Sequence, residues 1–221
     1  IHPARFDDLT PGSEHSFIFD DPVEVLIARE PHEVANVLNQ IEDASRGGLW
    51  SAGFLSYEAA PAFDPALTVR PADHDEFDDL PLAWFGVYRT RSPITETQGY
   101  RADQYEIGPW SPTMSPQEYH QAVTSIRSRI EAGDTYQVNL SYRMRSDISG
   151  DLDAFYRDLI TAQRGGYGAL LRTGDFTVVS ASPELFYRTE GRRLEVRPMK
   201  GTIGRGRWAA EDTSKREALI A

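Results

Sequence analysis

Four short segments with the composition of β-strands follow one another between residues 167 and 197, and short connections separate each from the next. Parallel strands need a crossover connection of about a dozen residues or more, so these neighbours are predicted to pair antiparallel. Combined with amphipathic helices elsewhere, the succession predicts an α+β fold of largely antiparallel sheets with outer helices. The four segments are Tyr167–Arg172, 176–180, Leu185–Glu190 and Arg193–Arg197.

Three helices are marked by their ends and by apolar residues at helical spacing. Gly47 and Gly48 end the first, and Gly133 ends the second. Ser115 and Glu118 form a capping box that begins the second helix. The predicted inward residues are Val34, Val37, Leu38 and Ile41 in the first helix, Tyr119, Val123, Ile126 and Ile130 in the second, and Leu152, Phe155, Leu159 and Ala162 in the third.

The middle of the chain predicts one further strand and a domain boundary. Residues 135–145 alternate strictly between apolar and polar side chains, which is typical of a strand with one buried face. The polar connection 90–112 divides the chain into an N-terminal subdomain, 1–110, and a second part, 111–221. A last helix starts near residue 211 without a helix-ending signal, so the chain is expected to be the front part of a longer protein.

Composition and charge exclude several classes of function. The chain has no cysteine, which rules out disulfides, thiolate catalysis and cysteine-bound zinc. A net charge of −11 over 221 residues argues against nucleic-acid or membrane partners. No segment resembles a signal peptide or a membrane helix, and we expect a cytoplasmic enzyme. The acidic cluster at 73–79 lacks calcium-loop spacing and is interpreted as a solvated loop.

Lys200 is unusual because only two of the 23 basic residues are lysine, the other being Lys215. A lysine amine can lose its proton in a desolvated site and attack carbon, whereas a guanidinium cannot. The hairpin formed by Leu185–Glu190 and Arg193–Arg197 brings its two flanks together. Glu184 and Lys200 can therefore approach each other as an acid and an amine nucleophile. The alternative is a strand-end lysine that reaches into solvent.

The same segment is locally basic within an acidic chain. Residues 184–207 contain seven positive and three negative side chains, an excess of four positive charges. This distribution suits a small anionic ligand, and the alternative is an arginine-rich face exposed to solvent. The glycines at 201, 204 and 206 follow a strand and can form a backbone nest for an anion, although they lack the spacing of a dinucleotide fingerprint.

Several motifs, taken in order, resemble the chorismate-utilising enzymes over nearly the whole chain. Within that family the N-terminal motifs are similar to the branch that makes aminodeoxychorismate for p-aminobenzoate synthesis. The motifs are Gly-Phe-Leu-Ser-Tyr-Glu-Ala at 53–59, Pro-Leu-Ala-Trp-Phe at 81–85, Gly-Asp-Thr-Tyr-Gln-Val-Asn-Leu at 133–140, Ser-Pro-Glu at 182–184, Arg-Pro-Met-Lys-Gly-Thr at 197–202, Arg-Gly at 205–206 and Glu-Asp at 211–212.

The resemblance implies an anthranilate synthase-like chorismate-binding fold and a set of site residues. Lys200 matches the family's nucleophile, and Glu184 matches its general acid. Gly201, Thr202 and Arg205 are implied to bind substrate. In anthranilate synthase and the isochorismate and salicylate synthases, the position of Lys200 is typically Ala, so this lysine favours the aminodeoxychorismate branch.

The implied reaction replaces the C4 hydroxyl of chorismate with an amino group. The ammonia is implied to come from glutamine through a partner amidotransferase. Magnesium is the implied cofactor, with ligands expected beyond residue 221, so the 221-residue chain alone is expected to be inactive. Whether a lyase domain follows is left open. The alternatives are anthranilate synthase or another chorismate-utilising enzyme and, more remotely, a non-catalytic anion-binding module.

A regulatory site is a further implication of the resemblance. Gly166, Tyr167 and Gly168 stand where many family members have Pro-Tyr or Pro-Phe lining a tryptophan effector pocket. The chain departs from that pattern, and the N-terminal element of the pocket is not evident in the sequence. The alternative interpretation is that Tyr167 simply begins a strand.

Overall fold

The computed structural model describes residues 4–10, 12–69, 79–94, 104–163, 166–199 and 201–220. Every strand pairing in this part of the chain is antiparallel, which confirms the predicted α+β fold. The strands are β1 (Ala4–Asp8), β2 (Phe17–Phe19), β3 (Glu24–Ala28), β4 (Trp50–Leu55), β5 (Ala83–Tyr88), β6 (Ser92–Pro93), β7 (Tyr105–Ile107), β8 (Ser111–Pro112), β9 (Met144–Arg145), β10 (Ile148–Gly150), β11 (Tyr167–Arg172), β12 (Thr177–Ser182), β13 (Leu185–Glu190) and β14 (Arg193–Arg197). The helices are α1 (Pro31–Arg46), α2 (Pro116–Ala132), α3 (Leu152–Gln163) and α4 (Ala209–Ile220), and a 3-10 helix covers Tyr57–Ala62.

The chain folds into two compact units. The first unit comprises residues 1–98 and 156–221, and the second comprises residues 99–155. In the first unit lie a five-stranded sheet in the order β12-β11-β1-β2-β6, a three-stranded sheet in the order β3-β5-β4, and the hairpin β13-β14. The predicted domain boundary at residue 110 stays a prediction.

Helix α1 covers one face of the three-stranded sheet. Pro31 occupies the first turn, where its missing N–H costs nothing, and Glu33 closes a capping box on Glu30. Val34 and Val37 are buried against the sheet, as their spacing predicts. The same cluster contains Leu26, Ala28, Ala59, Ala83 and Val87, with Leu38 and Ile41 at its margin.

The second core lies between the two sheets. It is formed by Ala4, Phe19, Ala52, Tyr88 and Leu171, which come from strands of both sheets. The Tyr88 ring extends along its own strand over Gly86, where a Cβ atom would overlap the ring. Burial raises the pKa of the Tyr88 hydroxyl to about 12, and the negative charge of Asp20 adds to the shift.

Helix α3 packs on the opposite face of the five-stranded sheet. Tyr156 and Ile160 are buried there against Leu170. The Tyr156 hydroxyl donates a hydrogen bond of 2.6 Å to Asp7 Oδ2, and Arg5 Nε donates to the same oxygen at 2.7 Å. The helix is confirmed, but its predicted inward face is wrong. Leu152, Phe155 and Leu159 are only half-buried and Ala162 is exposed, because the hydrogen bond to Asp7 turns the neighbouring face inward.

The second unit contains α2 and two short ladders, β7-β10 and β8-β9. Both ends of α2 form as predicted: Ser115 and Glu118 make the capping box, and Gly133 adopts a left-handed φ of 82°. None of the predicted inward residues of α2 is buried. The predicted strand 135–145 is wrong except at Met144–Arg145, because residues 135–143 have no partner strand within the part of the chain that the structure describes.

None of the helices in the described ranges has both the length and the apolar character needed to cross a membrane.

We predict that Tyr88→Phe leaves the fold unchanged and raises the free energy of unfolding by about 1 kcal/mol, because a buried hydroxyl without a partner is costly. Tyr88 Oη is buried and has no hydrogen-bond partner among the described residues. Urea denaturation of both proteins measures the difference. A loss of about 1 kcal/mol or more in the variant would instead show that the hydroxyl holds a stabilising hydrogen bond.

Candidate active site

The hairpin β13-β14 forms at the predicted residues and contains a β-bulge. Leu185 pairs with Arg197, whereas Arg188 pairs with Glu195, so the register shifts by one residue between them. Phe186 and Tyr187 occupy the bulge, with exposures of 85% and 58% and ring centroids 5.3 Å apart. A bulge re-aims side chains, and here it brings Arg188 onto the register that the rest of the hairpin follows.

Glu184 is held at the base of this hairpin by hydrogen bonds on both its backbone and its carboxylate. Ser182 Oγ accepts from Glu184 N at 3.2 Å and donates to the Glu184 carbonyl at 3.0 Å. The Glu184 Oε1 atom accepts a hydrogen bond of 2.6 Å from the backbone N–H of Met199. The carboxylate therefore lies against the backbone N–H of Met199, the residue immediately before residue 200.

Lys200, the predicted nucleophile, lies outside the described residues. The structure describes its neighbours Met199 and Gly201, of which Gly201 has a left-handed φ of 55°. The hairpin thus brings Glu184 to the backbone beside Lys200, and the approach of the two side chains stays a prediction.

The predicted substrate-binding residues lie on the loop that follows. Gly201 and Thr202 are exposed on it. Arg205 forms a two-pronged ion pair with Asp212, at 2.7 Å from Nε to Oδ1 and 2.6 Å from Nη2 to Oδ2. Its guanidinium is therefore already engaged with a carboxylate, and its predicted role towards substrate stays untested.

The first turn of α4 holds this loop in place, and we call the contacts of residues 205–207 with Glu211 and Asp212 the loop latch. Besides Arg205, Asp212 Oδ1 accepts from Gly206 N at 2.8 Å, and Glu211 Oε2 accepts from Arg207 N at 2.8 Å. The Arg205 guanidinium and the Gly206 N–H hold the pKa of Asp212 at about 2. A Cβ atom at residue 206 would overlap the Asp212 backbone, which explains why this position is glycine.

The second lysine of the chain, Lys215, lies against the loop latch. Lys215 Nζ donates to the Arg205 carbonyl at 3.3 Å and lies 3.5 Å from Glu211 Oε1. The sequence motif contained Glu211 and Asp212 without assigning them a role. One feature of the sequence could have indicated their role: both are carboxylates in the first turn of a helix that follows a basic loop.

The excess positive charge of residues 184–207 is largely balanced in the structure. Arg188, Arg197, Arg205 and Arg207 each pair with a carboxylate. Three of the partners, Asp8, Glu211 and Asp212, lie outside that stretch of sequence, so its local composition overstated the charge available to an anion.

The segment predicted to line an effector pocket is packed closely. A Cβ atom at Gly166 would overlap the Ser182 carbonyl, and one at Gly168 would meet Tyr156 and Ile160. The crevice beside Tyr167 has no room for even a water-sized molecule. Ligand pockets are typically about 300–1,000 Å³. Packing therefore accounts for both glycines, and effector binding by Gly166, Tyr167 and Gly168 stays a prediction.

The described residues do not fit a metal centre. No three of their histidine, aspartate and glutamate side chains are grouped so that they could hold an ion.

Comparison with known proteins defines the class. A family described as chorismate binding enzymes matches residues 95–221, more than half of the chain. The chain belongs to this family of chorismate-utilising enzymes.

The individual relatives are enzymes of two kinds within that family. Aminodeoxychorismate synthase component 1 of Bacillus subtilis (strain 168) is 38% identical over 102 residues, which cover 46% of this chain and 22% of the relative. Anthranilate synthase component 1 of Thermus thermophilus is 32% identical over 177 residues, which cover 78% of this chain and 38% of the relative. Aminodeoxychorismate synthase component 1 of Salmonella typhimurium is 35% identical over 96 residues, which cover 43% of this chain and 21% of the relative. The chain thus spans less than half the length of these relatives.

We predict that Asp212→Asn opens the loop latch, because the neutral amide loses the charge-assisted pair with Arg205. Native-state trypsin cleavage after Arg205 and Arg207 should become severalfold faster. Glu217→Gln, an exposed substitution on the same helix, is the matched control and should leave cleavage unchanged. Equal cleavage of the Asp212 variant and the unsubstituted protein would contradict the latch.

Proposed function

We propose that this chain is the part of an aminodeoxychorismate synthase component 1 that carries the acid and the nucleophile for amination of chorismate. The observation that carries the proposal is the 2.6 Å hydrogen bond from Met199 N to Glu184 Oε1, which holds a carboxyl group beside the backbone that enters Lys200.

The proposed reaction has two steps. The unprotonated Lys200 amine attacks C2 of chorismate, the double bonds shift, and the C4–O bond breaks. Glu184 supplies the proton that converts the departing hydroxyl into water, since hydroxide is a poor leaving group. The proton lost from the newly bonded nitrogen restores Glu184. Ammonia then adds at C4, the double bonds shift back, and the C2–N bond breaks. The proton that the incoming nitrogen loses passes to the departing lysine nitrogen, which releases Lys200 as the free amine together with 4-amino-4-deoxychorismate.

The hydrogen bond to Met199 is compatible with both protonation states of Glu184. When the side chain is neutral, Oε1 acts as the carbonyl oxygen and still accepts from the N–H, while Oε2 carries the proton. When it is ionised, both oxygens are acceptors. The contact therefore orients the carboxyl group throughout the cycle and leaves Oε2 as the oxygen that delivers the proton.

The choice of amination over anthranilate formation rests on Lys200 and on the resemblance at 197–202. Anthranilate synthase component 1 is the second candidate. The Thermus thermophilus relative favours it, because that alignment covers 78% of this chain.

The remaining parts of the proposal concern the whole protein. The relatives are named component 1, which supports a second component; we propose that it is a glutamine amidotransferase that supplies ammonia. We also propose that magnesium is held by residues outside 1–221, that the complete enzyme works in the cytoplasm, and that residues 1–221 alone do not turn over chorismate.

We predict that the complete polypeptide, given chorismate, ammonium and magnesium, forms 4-amino-4-deoxychorismate, which retains the enolpyruvyl group. Mass spectrometry of the products distinguishes it from anthranilate, which has lost that group. Lys200→Ala should abolish amination, because the amine that attacks C2 is then missing. Arg192→Ala, at the exposed hairpin turn, is the control and should keep full activity.

Three results would overturn the proposal. Direct formation of anthranilate would assign the chain to the second candidate. Undiminished amination by Lys200→Ala would remove the nucleophile. Binding of chorismate without any turnover would instead favour a non-catalytic anion-binding module.

A further inference from the structure

The orientation of the hairpin β13-β14 does not come from a sheet. In the described part of the chain its two strands pair only with each other. A two-stranded hairpin is marginally stable by itself, so its direction has to be set by contacts outside the ladder. Only two residues, Pro183 and Glu184, connect it to β12.

One contact fixes the hairpin to the five-stranded sheet from its β13 strand. Arg188 Nη2 donates a hydrogen bond of 2.9 Å to Asp8 Oδ2 at the end of β1, 180 residues earlier in the chain. The Asp8 side chain is 5% exposed and the Arg188 side chain 25% exposed. An ion pair this shielded from water is stronger and more directional than one on the surface.

Asp8 is itself held rigidly. Its Oδ1 atom accepts from Thr10 N at 3.0 Å, and its backbone N–H donates to Ser16 Oγ at 3.0 Å. Burial alone would raise the pKa of Asp8, but hydrogen bonds from Thr10 and Arg188 outweigh it and lower the pKa to about 2. The carboxylate is therefore ionised at neutral pH, where it attracts the Arg188 guanidinium.

We call the ion pair between Asp8 and Arg188 the anchor. Asp8 lies in the same row across the five-stranded sheet as Ser182, the serine that orients Glu184. Asp8 pairs with Tyr167 between β1 and β11, and Tyr167 pairs with Ser182 between β11 and β12. The β14 strand reaches this row as well, since Arg197 Nη1 lies 3.4 Å from Tyr167 Oη. Each strand of the hairpin thus contributes one arginine that contacts the row formed by Asp8, Tyr167 and Ser182. Ser182 lies at the base of the hairpin.

We propose that Asp8 is a positioning residue for the catalytic acid and nucleophile. Through Arg188 it fixes the angle of the hairpin on the sheet, and so the place where Glu184 meets Met199 and where the chain enters Lys200. Among the described residues, no hydrogen bond joins Asp8 directly to Glu184. The inference rests on the proposed function, because it assigns the orientation of that same site.

The test is Asp8→Asn in the complete polypeptide. The amide oxygen can keep the bond from Thr10, but the amide no longer attracts Arg188. We expect kcat to fall by roughly 10- to 100-fold, since misplacing reacting groups by about 1 Å costs that much. KM should change by less than about threefold, because the loss falls on the transition state rather than on binding. Arg188→Gln should reproduce the loss, and Arg188→Lys should restore most of kcat.

Asp7→Asn is the matched control for a merely structural effect. Asp7 is the preceding residue of the same strand, is similarly buried, and pairs with Arg5 and Tyr156 rather than with the hairpin. Its substitution should lower the melting temperature and leave kcat unchanged. An equal loss of kcat in the Asp7 and Asp8 variants, or a kcat for Asp8→Asn within about twofold of the unsubstituted enzyme, would overturn the proposal.

Hydrogen exchange without chorismate separates this inference from the proposed function. Asp8→Asn should speed the exchange of the hairpin amides 185–199, including Met199, and Asp7→Asn should not. If the unsubstituted enzyme forms no aminated product, the proposed function fails, and the exchange measurement alone decides the anchor. Unchanged exchange in Asp8→Asn would refute the anchor whatever product is formed.

Discussion

The hydrogen bond between the Glu184 carboxylate and the Met199 N–H closes the base of the hairpin, and the candidate site depends on it. It turns fifteen positions of sequence separation into direct contact and points the carboxyl group at the backbone that leads to Lys200. The surrounding contacts serve the same end. Asp8 holds the hairpin from the sheet side through Arg188, and the loop latch holds the residues that follow from the helix side. The site is thus built on a short hairpin and the loop that follows it, and carboxylates from other elements hold each of them.

Most of the fold followed from periodicity and from the residues that end elements. The hairpin strands Leu185–Glu190 and Arg193–Arg197 and both ends of α2 form where the pattern predicts. Residues 135–145 alternate as clearly as any strand, yet nearly all of them stay outside the sheets. Alternation describes a face, whereas a strand also needs a neighbour with free backbone groups. The prediction of which face of α3 points inward was wrong for a related reason, since that face includes Tyr156, whose hydroxyl bonds to the distant Asp7.

The contacts of the site that a single hairpin brings together were predictable from the sequence. The contacts that depend on partners elsewhere in the fold were not. A hairpin with Glu184 on one flank implied an approach to the other flank, and the contact with Met199 agrees with that geometry. Nothing in the local sequence indicated that Asp8 would pair with Arg188 across 180 residues. Nor did it show that Arg205 would be engaged by Asp212. The β-bulge at Phe186–Tyr187 was hidden as well, because alternation does not reveal a one-residue shift in register.

The proposed mechanism requires Lys200 to become covalently bonded to the substrate with Glu184 as the acid. It is tested most directly by mass spectrometry of the complete enzyme after incubation with chorismate and magnesium in the absence of ammonia. We predict an adduct on Lys200 with the mass of chorismate less one molecule of water, formed by the unsubstituted enzyme and not by Glu184→Gln. An unmodified Lys200 in a preparation that makes 4-amino-4-deoxychorismate once ammonia is added would contradict the account.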